Sequence, residues 1–90
     1  MTLLIKRHKT FVKDFKRVNL SDKHFTKFIL YLSKLVDNET LPSEAKDHQL
    51  LGSWLGYREF HISGDILVIY KIVNGELWLI RIGSHSELFK

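Results

Sequence analysis

Five side chains in the second half of this chain have the types that acid–base chemistry uses: His48, His61, Asp65, Arg81 and His85. An imidazole titrates near pH ~6.5, so histidines can both give and take protons around neutrality, while a carboxylate accepts a proton and a guanidinium neutralises an anion. Lys46 and Arg58 add two cations close by in sequence, and His8 and His24 read as ordinary surface residues. A single histidine is cheap and common, so the set means something only if the fold gathers it.

The element able to do that is a β-hairpin. Ile66-Leu-Val-Ile-Tyr-Lys-Ile-Val73 and Glu76-Leu-Trp-Leu-Ile-Arg-Ile-Gly83 are both β-rich, and Asn74-Gly75 between them is the strongest short hairpin signal a sequence carries. A two-residue type I′ turn needs positive φ at both central positions, which Asn and Gly tolerate. Counting outward pairs Val73 with Glu76 and brings Ile66 opposite Gly83. Asp65 and His85 then lie just past the open end, and His61, closing the preceding strand, belongs to the same rim.

Around the hairpin the chain divides simply. Thr2 to His8 is a first strand. Phe11, Val12, Phe15 and Val18 recur at helical spacing over Lys9 to Val18, with Lys13, Asp14, Lys16 and Arg17 on the other face. Ser21 caps a second helix whose stripe is Phe25, Phe28, Ile29, Leu32, Leu35 and Val36, ending near Asp37-Asn38. Leu41 to Gly56 is a long loop with one helical turn at Ser43 to Asp47, and a loop of that length in a small domain is often functional. Tyr57 to Ile62 is a strand, Ser63-Gly64-Asp65 a turn, and Ser84 to Lys90 a short polar tail. The order predicts one α+β domain over residues 1–90, β-α-α-β-β-β, with two helices on one face of a small antiparallel sheet. Strand alternation predicts Leu67, Ile69, Ile80 and Ile82 toward the helices and Val68, Tyr70, Leu79 and Arg81 toward an open face. A core-facing arginine would need a buried partner, so Arg81 is expected in a groove.

Composition narrows the function classes. There is no cysteine, which excludes disulfides, thiolate zinc sites and cysteine nucleophiles and fits a reducing cytoplasm. The apolar run at Met1 is too short for a signal peptide, and no run approaches the roughly 20 residues of a membrane span, so a soluble cytoplasmic protein is expected. Residues 1–45 hold nine Lys/Arg against five Asp/Glu while residues 46–90 hold five of each, so the net charge of +4 sits in the first half. A basic half suits a polyanion such as RNA, or an acidic protein segment, although lysines also serve solubility alone. Three histidines and an aspartate can ligate zinc, but their spacing matches no short ligand motif. Gly52-Ser53 and Ser84 lie in no nucleophile elbow, which sets a serine hydrolase aside. Trp54, Tyr57 and Trp78 could stack on bases, though aromatics in a small domain are more often packing.

The residues Lys46-Asp-His48, Leu51-Gly-Ser-Trp54, Gly56-Tyr-Arg-Glu-Phe-His61, Asp65, Ile69-Tyr-Lys71 and Arg81-Ile-Gly-Ser-His85-Ser-Glu-Leu-Phe89 resemble, in order and spacing, the YafQ-like branch of the RelE/ParE toxin superfamily. The likeness is strongest over 46–89; the helical half agrees in pattern, and Gln49 and Gly64 stand where many relatives have proline. The resemblance implies a RelE-like fold and the toxin of a type II toxin–antitoxin pair. Such a toxin is an endoribonuclease that cuts messenger RNA in the ribosomal A site, next to ribosomal RNA, and is held in a hetero-oligomer by a cognate antitoxin. It implies no cofactor and no metal. It also implies activity at His48, His61, Asp65, His85 and Phe89. From the residues themselves, Arg81 is expected to clamp the phosphate, with Lys46 and Arg58 as weaker candidates for substrate contact. The alternative is a toxin without nuclease activity, which merely occupies the ribosome or binds gyrase as the ParE branch does.

Overall fold

The computed structural model describes residues 2–89; Met1 and Lys90, the ends of the expected domain, lie outside the described residues. Five strands, β1 (Leu4–Arg7), β2 (His48–Gln49), β3 (Arg58–His61), β4 (Ile66–Val73) and β5 (Glu76–Ser84), form one sheet in the order β1-β5-β4-β3-β2. The pairs among β2 to β5 are antiparallel, and β1 joins β5 in parallel at the edge. Helices α1 (Lys9–Arg17) and α2 (Asp22–Val36) cover one face. The tail read as polar coil contains a third helix, α3 (His85–Leu88).

Local chemistry explains most boundaries. Asn74 and Gly75 take φ of 50° and 75°, as a type I′ turn demands. The Ser21 hydroxyl accepts from the His24 N–H at 3.2 Å and starts α2. Ser84 and Glu87 form a capping box, each side chain accepting the other's backbone N–H, and this fixes where α3 begins. That exchange holds the Glu87 carboxyl below its ordinary range, first through the Ser84 backbone N–H and then through the Ser84 hydroxyl.

The hairpin follows the counted register from the turn out to Tyr70 opposite Leu79 and then slips by one. Ile80 is an extra residue, a β-bulge, so Ile69 pairs with Arg81 and Ile66 with Ser84 rather than with Gly83. Contacts from α1 and its N-cap hold the bulge: the Thr10 hydroxyl donates to the Ile80 carbonyl at 2.6 Å, and the N–H of the cap residue His8 donates to the Leu79 carbonyl at 2.9 Å. The bulge also separates Ile80 from Ile82, which strict alternation places together. Ile82 joins Val68, Tyr70, Leu77 and Leu79 beneath the helices, packed with Phe11, Phe28, Tyr31, Leu32, Leu35, Phe60 and Ile62. Leu67, Ile69 and Ile80 turn instead to the face away from α1 and α2, under Leu50 and Leu88. The facing predicted for β4 was therefore inverted, because both of its faces are apolar and alternation alone cannot rank them.

Asp14, expected on the solvent side of α1, is only 8% exposed. It accepts from Arg81 Nε, from Arg81 Nη2 at 3.1 Å and from the Ile82 N–H at 3.2 Å, so the arginine read as lacking a partner has one. Conversely, Phe25 and Ile29 of the α2 stripe stay 44% and 47% exposed and, with Phe15, leave an apolar groove between the helices.

Candidate active site on the open sheet face

Period-two alternation puts Tyr57, Glu59 and His61 of β3 and its flank on the same face as Leu67, Ile69 and Lys71 of β4, since His61 pairs with Leu67 and Glu59 with Ile69. His48 pairs with Glu59 from β2 and joins them. Glu59 is the centre of this group. Only 4% exposed, its Oε2 lies 2.9 Å from His61 Nε2 and 3.3 Å from His48 Nε2, and the two imidazoles stack with centroids 6.4 Å apart. His48 Nδ1 donates to the Lys46 carbonyl at 2.6 Å, which fixes that nitrogen as a protonated one.

The loop bearing His48 is pinned from the other side of the sheet. The Tyr70 hydroxyl donates to Asp47 Oδ1 at 2.6 Å, and Arg58 Nε donates to the same oxygen at 3.1 Å. Burial, with the Asp47 hydrogen bond next, pushes the Tyr70 phenol well above its ordinary range, so it remains a donor. Lys46 sits just before, in the left-handed region at φ 50°, with an exposed side chain. Tyr70→Phe should therefore lower stability by about 1–2 kcal/mol in urea titration, because Asp47 loses its shortest donor while the ring still fills its site.

Toward the His61 end of the same face, His85 opens α3 and Phe89 follows it by one turn, their rings 4.8 Å apart. Phe89 meets Trp54 edge-on at 6.1 Å. Across the strands, His61 pairs with Leu67 and Leu67 with Gly83, so His61 and His85 rise from the same end of the sheet. Asp65 is exposed at that end and lines a polar cleft of about 310 Å³ with Asp14, Arg17, Arg81, Ser84 and Glu87. The hydrogen bond to Asp14 raises the Arg81 pKa, so the guanidinium stays charged.

The geometry thus joins His48 and His61 through Glu59, His85 to Phe89, and Asp65 to the Arg81 cleft. It ties Arg58 to Asp47, and among the described residues no hydrogen bond, ion pair or ring contact links Asp65, His61 and His85 to one another. No group of three or more His, Asp and Glu among the described residues is placed to hold a metal ion.

Residues 3–90 match the profile of a family described as the bacterial toxin of type II toxin–antitoxin system, YafQ. The chain belongs to the YafQ family. It is 43% identical over 79 residues to the mRNA interferase toxin YafQ of Escherichia coli K12, covering 86% of this chain and 85% of that one. Among solved structures, YafQ in the E. coli DinJ–YafQ toxin–antitoxin complex superposes with a TM-score of 0.85 at 34% identity, covering 100% of both chains. A copper-bound mutant toxin from Helicobacter pylori gives 0.84 at 38% identity, covering 97% of this chain and 99% of that one.

Within this YafQ-family chain, Glu59 and Asp14 are the groups that sequence reasoning passed over. Both had a signal. Glu59 stands two residues before His61 in a strand, hence on its face, and Asp14 stands three residues after Phe11 and four before Val18, hence on the apolar stripe of α1.

Proposed function

We propose that this toxin is an endoribonuclease that cuts messenger RNA on the ribosome, without a metal, by attack of a 2′-OH on the adjacent phosphate. The observation that carries the reading is the pair of imidazoles, His48 and His61, held by one buried carboxylate on an open sheet face, with His85 at the same end. Its support from kinship is the name mRNA interferase borne by the E. coli relative.

In the reaction, Asp65 or His48 takes the 2′-OH proton as the oxygen attacks phosphorus. Arg81, oriented by Asp14 through Nε and Nη2, offers Nη1 to the phosphoryl oxygens as charge builds on them. The P–O5′ bond breaks as His85 gives its proton to the departing oxygen, leaving a 2′,3′-cyclic phosphate and a 5′-OH end. His61, fixed through Nε2 on Glu59, orients the substrate, and Phe89 closes the groove against a base, with Lys46 and Arg58 as outlying cations. Primer extension on a translated message tests this. New 5′ ends are expected with ribosomes and not on the free message, and they should persist with a chelator that takes transition metals but spares magnesium. A protein that only occupies the ribosome leaves no new ends, and loss of cleavage with the chelator overturns the metal-free step.

The cognate antitoxin, by the same reading, covers the groove between α1 and α2. Ile5, Phe15, Phe25 and Ile29 expose apolar surface there, and Arg7 and Lys16 line it, a combination that suits an amphipathic segment with acidic flanks.

A further inference from the structure

The open face continues past the histidines, away from the cleft. Tyr57, Lys71 and Trp78, with His8 and Ile80, line a second cleft of about 330 Å³. Trp78 is the Cα partner of Lys71 on β4 and of Lys6 on β1, so the indole stands between two lysines on one face. The Glu76 carboxylate accepts from its Nε1 at 2.9 Å and holds the ring from that edge. The Lys71 ammonium lies 5.3 Å from the centroid of the Tyr57 ring, and Lys6, Lys71, Tyr57 and Trp78 are all partly exposed. A π-surface with a cation on each side is what an unpaired nucleotide recognises: the base stacks on the ring and the flanking phosphates meet the ammonium groups.

We propose that Trp78, between Lys6 and Lys71, is a stacking subsite for an unpaired nucleotide of the message strand, on the same face as the proposed cleavage centre but remote from it. The proposal rests on the ribonuclease reading. Lys71, the partner of Trp78, lies five strand residues from Ile66, the partner of Ser84, so Trp78 stands about 17 Å at the usual rise from the start of α3 that carries His85, farther than neighbouring phosphates of one strand lie apart. The nucleotide held at Trp78 is therefore not the one being cut. The subsite binds and aligns the strand, and its base preference is weak, because every base has a face to stack and Trp78 reads no base edge.

The test measures binding of a fluorescein-labelled single-stranded oligoribonucleotide, and of the same sequence as a duplex, to the full chain carrying His85→Ala so that it is not cut. Single strand should bind better than duplex, Trp78→Ala should weaken it about tenfold, and Trp78→Phe should restore most of the loss. Lys6→Gln with Lys71→Gln, a surface change that does not depend on how Trp78 packs, should weaken binding. It should also flatten the salt dependence by about 0.7 in log–log slope per lysine. If single strand binds the parent and every variant equally, or fails to bind a parent whose wild-type form still cuts message on ribosomes, the subsite is refuted and the nuclease stands. A wild type that neither binds the strand nor cuts message overturns both.

Discussion

Replacing His85 with alanine should slow message cleavage by about 10²–10⁴-fold, the usual contribution of a positioned general acid. The prediction is specific because His85 is exposed and its side chain makes a ring contact with Phe89 but no hydrogen bond among the described residues. The start of α3 is fixed by Ser84 and Glu87, and its one buried residue is Leu88, so the substitution leaves the fold intact. Thermal unfolding should accordingly match wild type within about 0.5 kcal/mol, as for surface changes in general. The rate is read from the appearance of new 5′ ends in primer extension on a translated message, with protein and ribosome concentrations held fixed. A His85→Ala protein that cuts at the wild-type rate would remove the acid role.

Asp14→Ala should produce the largest loss of stability among changes to polar residues, about 2–4 kcal/mol. Cutting one partner out of a buried ion pair costs more than that when both charges are enclosed, and here the figure is discounted because the Arg81 side chain is 27% exposed. The carboxylate supports three donors from β5, two on Arg81 and the Ile82 N–H, beside the bulge that sets the outer hairpin register. Its removal strands a guanidinium and a buried amide together. In urea the midpoint should fall with little change in slope. The double change Asp14→Ala with Arg81→Leu should recover part of that stability, since an apolar pair satisfies itself, yet it should not recover cleavage, since no cation then meets the phosphate. A double variant as unstable as the single would mean that the Ile82 amide, and not the stranded charge, carries the cost.

The hairpin was legible because its turn chemistry is local. Asn74-Gly75 dictated the loop, the inner pairs followed by counting, and the count failed only at Ile80, where the bulge is held by Thr10 and flanked by Asp14, some 70 positions away in sequence. No window around Ile80 contains that information. The inverted facing of β4 has a related cause. Val68 and Tyr70 are buried under α1 and α2, while α3 and the segment around Leu50 and Trp54 cover Leu67 and Ile69 on the otherwise open second face, so both faces of β4 look equally apolar in sequence. Two further features were legible and missed. Ser84-His-Ser-Glu87 is a capping-box pattern that announces α3, and Asp14 falls within the apolar stripe of α1. At the candidate site the sequence offered residue types and a common sheet end. What it could not offer was the joining of His48 to His61, which depends on the two-residue strand β2 pairing with β3 so that one carboxylate reaches both rings.

That attack comes from the substrate's own 2′-OH is the claim on which the assigned roles turn, because it makes a base, an acid and an anion clamp sufficient. The direct measurement uses a message in which the nucleotide on the 5′ side of the cut carries 2′-deoxyribose, translated on ribosomes beside the all-ribose message. The account predicts no cleavage at the deoxy position and, from the ribose message, an upstream fragment ending in a 2′,3′-cyclic phosphate. Cleavage of the deoxy message at the same bond, leaving a 3′-OH, would contradict it.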